Sequence, residues 1–437
     1  MNSQSFETLS ARLARMMGDS SRRSSQLHAQ FLQQRAVSQE HIRRLIELQM
    51  GSAQSGTLAE TVSAARPVLF DSRQLDEFGA GNFSRCFGPA FARYDSRRIP
   101  RIPNGDLKMM SRIVEIQGSL RDLRQPVSVE VEYDVPPDAW FLRDCGSFEL
   151  PYSLLMEIAL QPCGFLSAYL DTYALVPHEN FYFRNLDGSA RVVDTMDIRG
   201  KMLTTRAQLL TSVASAGTVI QKYSFHVRCE ERELYEGEST FGYFSIESMT
   251  NQVGLDGGQP SQPWIRIQPG SPSQTYDLRR WRTSAPLHLP AGRFGLLNQV
   301  DLTPTGGESG QGYIHARRPV NSQDWFYPFH FSGDPVMPGS LGVEAVLEAL
   351  KAYALALNLD NGLQPAQFSL PAGGLPTSWR YRGQITPQNK MMELEIHLHT
   401  QERSASGLLL AGDASVWVDS LRIYEVKNAT VWMAKQQ

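Results

Sequence analysis

Two long stretches of the chain are apolar almost all round a helical turn, and each is followed by strand-like segments. SLLMEIALQPCGFLSAYL (153–170) and SLGVEAVLEALKAYALAL (340–357) predict helices that are covered on every side. VSVEVEYDV (127–135) alternates apolar and polar residues, as a half-buried strand does. Further strand-like runs are RAQLLTSVA, TVIQKYSFHVRC and STFGYFSI in the first half, and GQGYIHARRPV, SWRYRGQI, MELEIHLHT, LLLAGDASVWV and LRIYEVKNATVWM in the second. Each half therefore predicts a strand, a buried helix and several antiparallel strands.

The two halves also share residues at the start of their helices. PYSLLMEIAL (151–160) aligns without a gap with PGSLGVEAVL (338–347), and one constant offset pairs Pro151 with Pro338, Ser153 with Ser340 and Glu157 with Glu344. Because the matches fall on the same element in the same context, they predict an internal duplication.

The pattern divides the chain into four segments. We predict an N-terminal helical lead-in and linker at 1–65, a first unit at 66–248 that begins with an irregular stretch to about residue 100, a connection rich in Gly, Pro, Gln and Ser at 249–289, and a second unit at 290–437.

Composition narrows the class of protein. The 437 residues are 41% hydrophobic and 20% charged, with a formal net charge of −3, which argues against a dedicated nucleic-acid binder. No stretch approaches the about 18 apolar residues that span a membrane. The four cysteines form no CxxC pair, and no GxGxxG, Walker or HExxH pattern occurs, so we expect reduced thiols, a cytoplasmic location and no metal, nucleotide or flavin.

The stretch FYPFHFSGDPVMPGS (326–340) places a histidine beside a stiff turn that ends where the second helix begins. HFSGDPVMPGSLGVEA (330–345) resembles the active-site motif of the β-hydroxyacyl-acyl-carrier-protein dehydratases, most closely the β-hydroxydecanoyl type. The first half, with RIPNGDL (101–107), FYFRNLDG (181–188) and VGLDGG (253–258), resembles the dehydratase region of polyunsaturated fatty acid and polyketide-like synthases. The resemblance implies an α+β double hot-dog fold, in which two fused antiparallel sheets each wrap around a central helix.

This resemblance implies dehydration of 3-hydroxyacyl thioesters to trans-2-enoyl thioesters during fatty acid or polyketide chain elongation. The implied partners are an acyl carrier protein, whose phosphopantetheine carries the substrate, and other synthase domains; a homodimer is a further possibility, and no other cofactor is expected. Three alternatives stay open: a dehydratase with enoyl isomerase activity, a non-catalytic acyl-binding or scaffold domain, and a thioesterase of the same fold. Isomerisation is disfavoured, because the β-hydroxydecanoyl enzymes carry Asp at the position of Glu344 and Cys at that of Ser340.

Dehydration requires a base at C2 and an acid at the C3 hydroxyl, and His330 is the candidate base. Read locally, Glu344 is the acid. The resemblance implies instead that the histidine of one hot dog meets the acid of the other, which the duplication identifies as Glu157, with Gln161 supporting the substrate hydroxyl. The first half has Arg143 at the position of His330; because arginine is not a base at pH 7, we expect a second, inactive site there, with Glu344 in a buried ion pair.

Three further assignments complete the predicted site. The backbone N–H groups of Gly339 and Ser340, at the start of the second helix, are candidate donors to the thioester oxygen. Asp334 is expected to act in the turn or in a salt bridge. Arg380 and Arg382 are candidates for docking an acidic carrier protein.

Overall fold

The computed structural model describes residues 66–435 apart from 119–126, 148, 216–217, 269, 283–286 and 364–365. The predicted helix and linker at 1–65 lie outside the described residues. Among the described helices, none has both the length and the apolar character that crossing a bilayer requires.

The described part of the chain contains seven α-helices and fourteen strands. The helices are α1 (Ser72–Ala80), α2 (Phe83–Phe87), α3 (Trp140–Cys145), α4 (Tyr152–Tyr169), α5 (Ile246–Thr250), α6 (Trp264–Ile267) and α7 (Gly339–Ala356). The strands are β1 (Arg112–Gln117), β2 (Val127–Asp134), β3 (Phe181–Val192), β4 (Met202–Ser215), β5 (Thr218–Cys229), β6 (Arg232–Ser245), β7 (Gln274–Asp277), β8 (Gln299–Thr303), β9 (Tyr313–Pro319), β10 (Ala366–Ser369), β11 (Thr377–Tyr381), β12 (Met391–Arg403), β13 (Gly407–Val418) and β14 (Leu421–Lys435).

Both halves have the same antiparallel topology. The strand order is β1-β2-β4-β5-β6-β3 in the first half and β8-β9-β12-β13-β14-β11 in the second, with β7 added at the outer edge and β10 paired to β14. In each half the central helix, α4 or α7, follows the second strand of the unit and is buried along nearly all its length. The predicted α+β double hot-dog fold is confirmed.

Side-chain alternation explains how each sheet covers its helix. Along β5, every second residue from Val219 to Cys229 is buried, and the residues between them are half-buried or exposed. Successive side chains of a strand point to opposite faces, so one face of the sheet packs on the central helix. Because both α4 and α7 are apolar almost all round, a sheet on one side and the neighbouring unit on the other are needed to cover them.

The two units join edge to edge through strands β3 and β11. Thr377 pairs with Ala190 and Arg380 with Asp187 in an antiparallel register, which makes the fourteen strands one continuous sheet. Trp379 is buried at this junction, donates to Asn185 Oδ1 at 2.7 Å and packs directly over Gly188. The junction therefore requires glycine at position 188, because the Trp379 ring occupies the space that a side chain would fill.

Two segments are more ordered than their composition suggested. The lead-in predicted to be irregular contains helices α1 and α2, because Asp71 and Gln74 form a capping box and Leu75 and Phe78 are buried in the core of the first unit. The predicted connection at 249–289 contributes β7, which pairs with β8 and extends the sheet of the second unit.

We predict that Gly188→Ala lowers the free energy of unfolding by about 1–3 kcal/mol, the usual cost of overpacking. A Cβ at this position meets the Trp379 ring, which is itself held by its hydrogen bond to Asn185. Gly164→Ala is the matched control, because its Cβ has no neighbour closer than 3.8 Å and alanine is the better helix former. Urea denaturation measures both; equal stability of the two variants would contradict this account of the junction.

Candidate active site

His330 is held in one orientation by the turn that follows it. Its Nδ1 lies 3.1 Å from the carbonyl oxygen of Val336, which can only accept, so Nδ1 carries the proton and Nε2 keeps a free lone pair. The backbone N–H groups of Phe331 and Asp334 each donate to the carbonyl of the other residue at 3.0 Å. The turn thus fixes both the ring and the tautomer that can accept a proton.

An arginine of the first unit secures this turn from outside. Arg184, on β3, donates through two nitrogens to the two carboxylate oxygens of Asp334 at 2.7 and 2.8 Å. Its Nε donates to Gln384 Oε1 at 2.8 Å. Both members of the pair are largely buried, which makes such a bidentate contact stronger and more directional than a surface ion pair. Asp334 therefore has the salt-bridge role expected of it, with a partner the sequence analysis did not single out.

Glu157 is buried on α4 and is contacted from two directions. Ser340, in the first turn of α7, donates its hydroxyl to Glu157 Oε1 at 2.7 Å. Gln161, one turn further along α4, donates to Oε2 at 3.0 Å. Gln161 is held in turn by the N–H of Met109 at 2.9 Å and the carbonyl of Leu107 at 2.8 Å. The carboxylate thus lies at the contact between the two central helices, with its geometry set by both units.

One cavity of about 490 Å³ is lined by both His330 and Glu157. Of the sequence-predicted site residues, it is lined by His330, Glu157, Gln161, Gly339, Ser340 and Arg382. Most of its remaining wall is apolar, as suits an acyl chain. The structure therefore brings the histidine of the second unit and the glutamate of the first to one site.

Helix α7 begins at the wall of this cavity. Its N-cap residue is Pro338, whose side chain has no hydrogen-bonding atom, so the N–H groups of Gly339 and Ser340 are not capped by it. These N–H groups and the positive end of the helix dipole favour an oxygen that gains negative charge. A Cβ on Gly339 would lie 2.7 Å from Cε2 of Tyr381, so the Tyr381 ring requires glycine at this position.

Glu344 lies elsewhere, in the position that the duplication gives it. It is 1% exposed, accepts from the N–H of Ser153 at 3.1 Å and lies beside a separate small pocket with Cys145 and Ser147. The ion pair expected of Glu344 is formed with a lysine of its own helix, not with a residue of the first unit. Lys351, two turns along α7, approaches Glu344 Oε1 to 3.6 Å, whereas the side chain of Arg143 is exposed on the short helix α3.

Glu348 on α7 occupies the position that the duplication relates to Gln161 on α4. Its buried carboxylate also has a basic partner. Its Oε1 lies 2.7 Å from a guanidinium nitrogen of Arg282, and its Oε2 accepts from the N–H groups of Leu296 and Leu297 at 3.0 and 2.9 Å. Burial is the main cause that raises the pKa of Glu348 to about 7, and Arg282 opposes the shift. Glu344 and Glu348 on α7 therefore contact basic side chains, whereas Glu157 and Gln161 at the related positions on α4 line an open cavity.

The two candidate docking arginines are both engaged in ion pairs. Arg382 donates to both carboxylate oxygens of Asp187 at 3.0 Å. Arg380 lies 3.7 Å from Asp187 and 3.7 Å from Glu425, and about half of its side chain is exposed. Arg382 lines the cavity, while Arg380 lies on the sheet surface beside it.

Burial lowers the pKa of His330, and the charge of Glu157 is the largest influence that opposes this shift. Arg184 lowers the pKa further, and Asp334 raises it. Because the imidazolium form is the one disfavoured by burial, His330 is neutral at pH 7, which is the form that can accept a proton.

Comparison with known proteins finds a family model that matches the second unit and a relative that is similar over most of the chain. Residues 289–427 match the model of the FabA-like domain. A polyunsaturated fatty acid synthase polypeptide of a Thraustochytrium species is 34% identical over 383 residues, which cover 82% of this chain. That alignment spans about a quarter (26%) of the relative's own length. These matches confirm the predicted resemblance to a dehydratase of the synthase type.

Solved structures show weaker similarity. A trans-AT polyketide synthase dehydratase domain from Brevibacillus brevis is 13% identical, with a TM-score of 0.41, and covers 74% of this chain and 98% of its own. A protein assigned as an oleoyl thioesterase, from Lactobacillus plantarum, is 12% identical with a TM-score of 0.41 and covers 73% of this chain and 100% of its own.

We predict that NMR titration of His330 gives a pKa below the usual 6.5, because burial disfavours the charged ring. Glu157→Gln should lower this pKa further, since it removes the nearest opposing charge, while Glu344→Gln should leave it unchanged. A histidine with a depressed folded-state pKa stabilises the fold above pH 6.5, and that contribution is lost as the pH falls towards the folded value. A His330 pKa at or above 6.5, or one that responds to Glu344→Gln instead, would contradict the geometry.

Proposed function

We propose that this chain, whose residues 289–427 form a FabA-like domain of the dehydratase type, dehydrates 3-hydroxyacyl thioesters to trans-2-enoyl thioesters. One observation carries the proposal: His330 and Glu157, from different units, line the same largely apolar cavity at the start of α7. A base and an acid on one acyl-sized cavity are what removal of water across C2 and C3 requires.

The reaction follows from the positions of these groups. His330 Nε2 accepts the C2 proton, while the Nδ1 hydrogen bond to Val336 holds the ring and stabilises the imidazolium. Negative charge that develops on the thioester oxygen is met by the N–H groups of Gly339 and Ser340. The carboxyl group of Glu157 gives a proton to the C3 hydroxyl, and the C3–O bond breaks to release water. Gln161 keeps the carboxyl group of Glu157 in place and contacts the departing hydroxyl.

The alternative activities make different demands on this site. Isomerisation would require a second proton transfer further along the acyl chain, and Ser340 already uses its hydroxyl to contact Glu157. A thioesterase must direct water to the thioester carbon. Here a histidine that can accept a proton and a carboxyl group that can donate one line the same cavity, which suits acid–base chemistry at C2 and C3. A scaffold domain would bind acyl groups without turnover.

The substrate carrier and the wider assembly are part of the proposal. An acyl carrier protein with its phosphopantetheine arm fits the resemblance to a synthase polypeptide, and other domains of such a synthase are the expected neighbours. Arg382 at the cavity is the better of the two docking candidates, with its ion pair to Asp187 open to competition by an acidic partner. The homodimer and the cytoplasmic location stay predictions.

The test is the hydration of a crotonyl thioester of pantetheine, followed by loss of the enoyl absorbance. We predict that His330→Ala and Glu157→Gln each reduce turnover by about 10²–10⁴-fold, the usual effect of losing a positioned acid–base group. Glu344→Gln should keep near-wild-type turnover, because its side chain faces Lys351 and Ser153 rather than the cavity.

Glu344→Gln is also the matched control, since the same change is made at the symmetry-related position. It should lower stability, because it leaves Lys351 on α7 without its counter-charge. Turnover that survives Glu157→Gln and is lost with Glu344→Gln would reject the assignment of the acid. A wild-type chain without hydration activity, but with acyl thioester binding, would favour the scaffold alternative.

A further inference from the structure

Tyr381 ends strand β11 and is placed at the cavity beside the first turn of α7. We propose that its hydroxyl donates a hydrogen bond to the thioester carbonyl oxygen of the bound acyl group, as a third donor beside the N–H groups of Gly339 and Ser340. The proposal rests on the proposed function, in that it assumes an acyl thioester in this cavity.

The first observation is the position of the ring. A Cβ built on Gly339 would lie 2.7 Å from Cε2, 2.8 Å from Cζ and 3.2 Å from the hydroxyl oxygen of Tyr381. The ring therefore lies against the residue that begins the helix, with its hydroxyl at the same end of α7 as the two backbone donors. Tyr424 packs on its other side, with 4.5 Å between ring centroids, so the ring has little freedom to turn away.

The second observation is that this hydroxyl has no partner within the described residues. The side chain is more than nine-tenths buried, and its oxygen is among the buried polar atoms that make no hydrogen bond there. Leaving a buried donor unpaired is unfavourable, because the hydroxyl has lost its hydrogen bonds to water. A buried donor without a partner, on a residue that lines a ligand cavity, is suited to bind an acceptor on that ligand.

The third observation is that the Tyr381 hydroxyl stays protonated and can donate. Burial raises its pKa well above 10, and Tyr424, Tyr152 and Glu157 raise it further, so the hydroxyl keeps its proton through the working pH range. Among the acceptors of a 3-hydroxyacyl thioester, the carbonyl oxygen lies next to the helix start, while the 3-hydroxyl faces Glu157 and Gln161 on α4. The carbonyl is therefore the acceptor that fits Tyr381.

The test compares Tyr381→Phe with wild type in the crotonyl thioester assay. We expect kcat to fall about 10²-fold, the usual effect of removing one donor from such a site, because the bond strengthens as charge develops on the oxygen. KM should rise only by the about 3- to 10-fold that one neutral hydrogen bond contributes in the ground state. The thermal midpoint should not fall, since the change removes a hydroxyl that has no partner in the described part of the fold.

Tyr327→Phe is the matched control. Its hydroxyl is also buried and without a partner among the described residues, and its ring is outside the cavity lining, so it should leave kcat unchanged. A Tyr381→Phe variant with kcat within twofold of wild type, or with a lower thermal midpoint that indicates a structural partner, would overturn the inference.

A second measurement separates this inference from the proposed function. The saturated butyryl thioester of pantetheine cannot react, and its Kd should rise about 3- to 10-fold in Tyr381→Phe, as expected for the loss of one neutral hydrogen bond. If the wild-type chain binds this thioester without hydrating its crotonyl counterpart, the proposed function fails and the Kd alone decides the role of Tyr381. Equal Kd values for wild type and variant would then reject it.

Discussion

The contact between the first turn of one central helix and a glutamate of the other determines where chemistry can occur in this chain. Ser340 at the start of α7 donates to Glu157 on α4, and the N–H of Ser153 at the start of α4 donates to Glu344 on α7. These two contacts are related by the internal duplication. Each carboxylate is thereby brought to the beginning of the opposite helix, where a histidine on the preceding turn can share a cavity with it.

Only one of the two symmetric positions has kept that arrangement. Beside Glu157, the fixed turn from His330 to Val336 leaves an open, apolar cavity and a neutral ring. Beside Glu344 and Glu348, Lys351 and Arg282 supply positive charges instead. A buried carboxylate is costly without a partner, and here a cation or several donors compensate each of these two. Of the two related positions, one therefore lines an open cavity and the other forms an internal ion-pair cluster.

Much of this could be predicted from the sequence, because it depends on periodicity and on a local motif. The all-round apolar helices, the aligned Pro–Ser–Leu–Glu pattern and HFSGDPVMPG determine the fold, the duplication and the cavity that contains His330 and Glu157. Contacts between residues far apart in the sequence could not be predicted. Arg184 is 150 residues from Asp334, and no local pattern indicates that their side chains form an ion pair. Tyr381 was missed because an aromatic residue on a strand usually indicates core packing. The capping box at Asp71 could have predicted the start of helix α1 from the sequence, although the scattered Pro, Gly and Arg residues around it suggested an irregular segment.

The central claim is that one acyl thioester binds between the two units, with His330 on one side and Glu157 on the other. The most direct measurement is a crystal structure of the chain with a pantetheine-linked 3-hydroxyacyl amide, in which the amide replaces the thioester. The account predicts C2 facing His330 Nε2, the 3-hydroxyl within hydrogen-bond distance of Glu157, and the amide oxygen at the start of α7. An analogue bound beside Glu344 and Lys351, or one whose acyl chain lies outside the cavity shared by the two units, would contradict it.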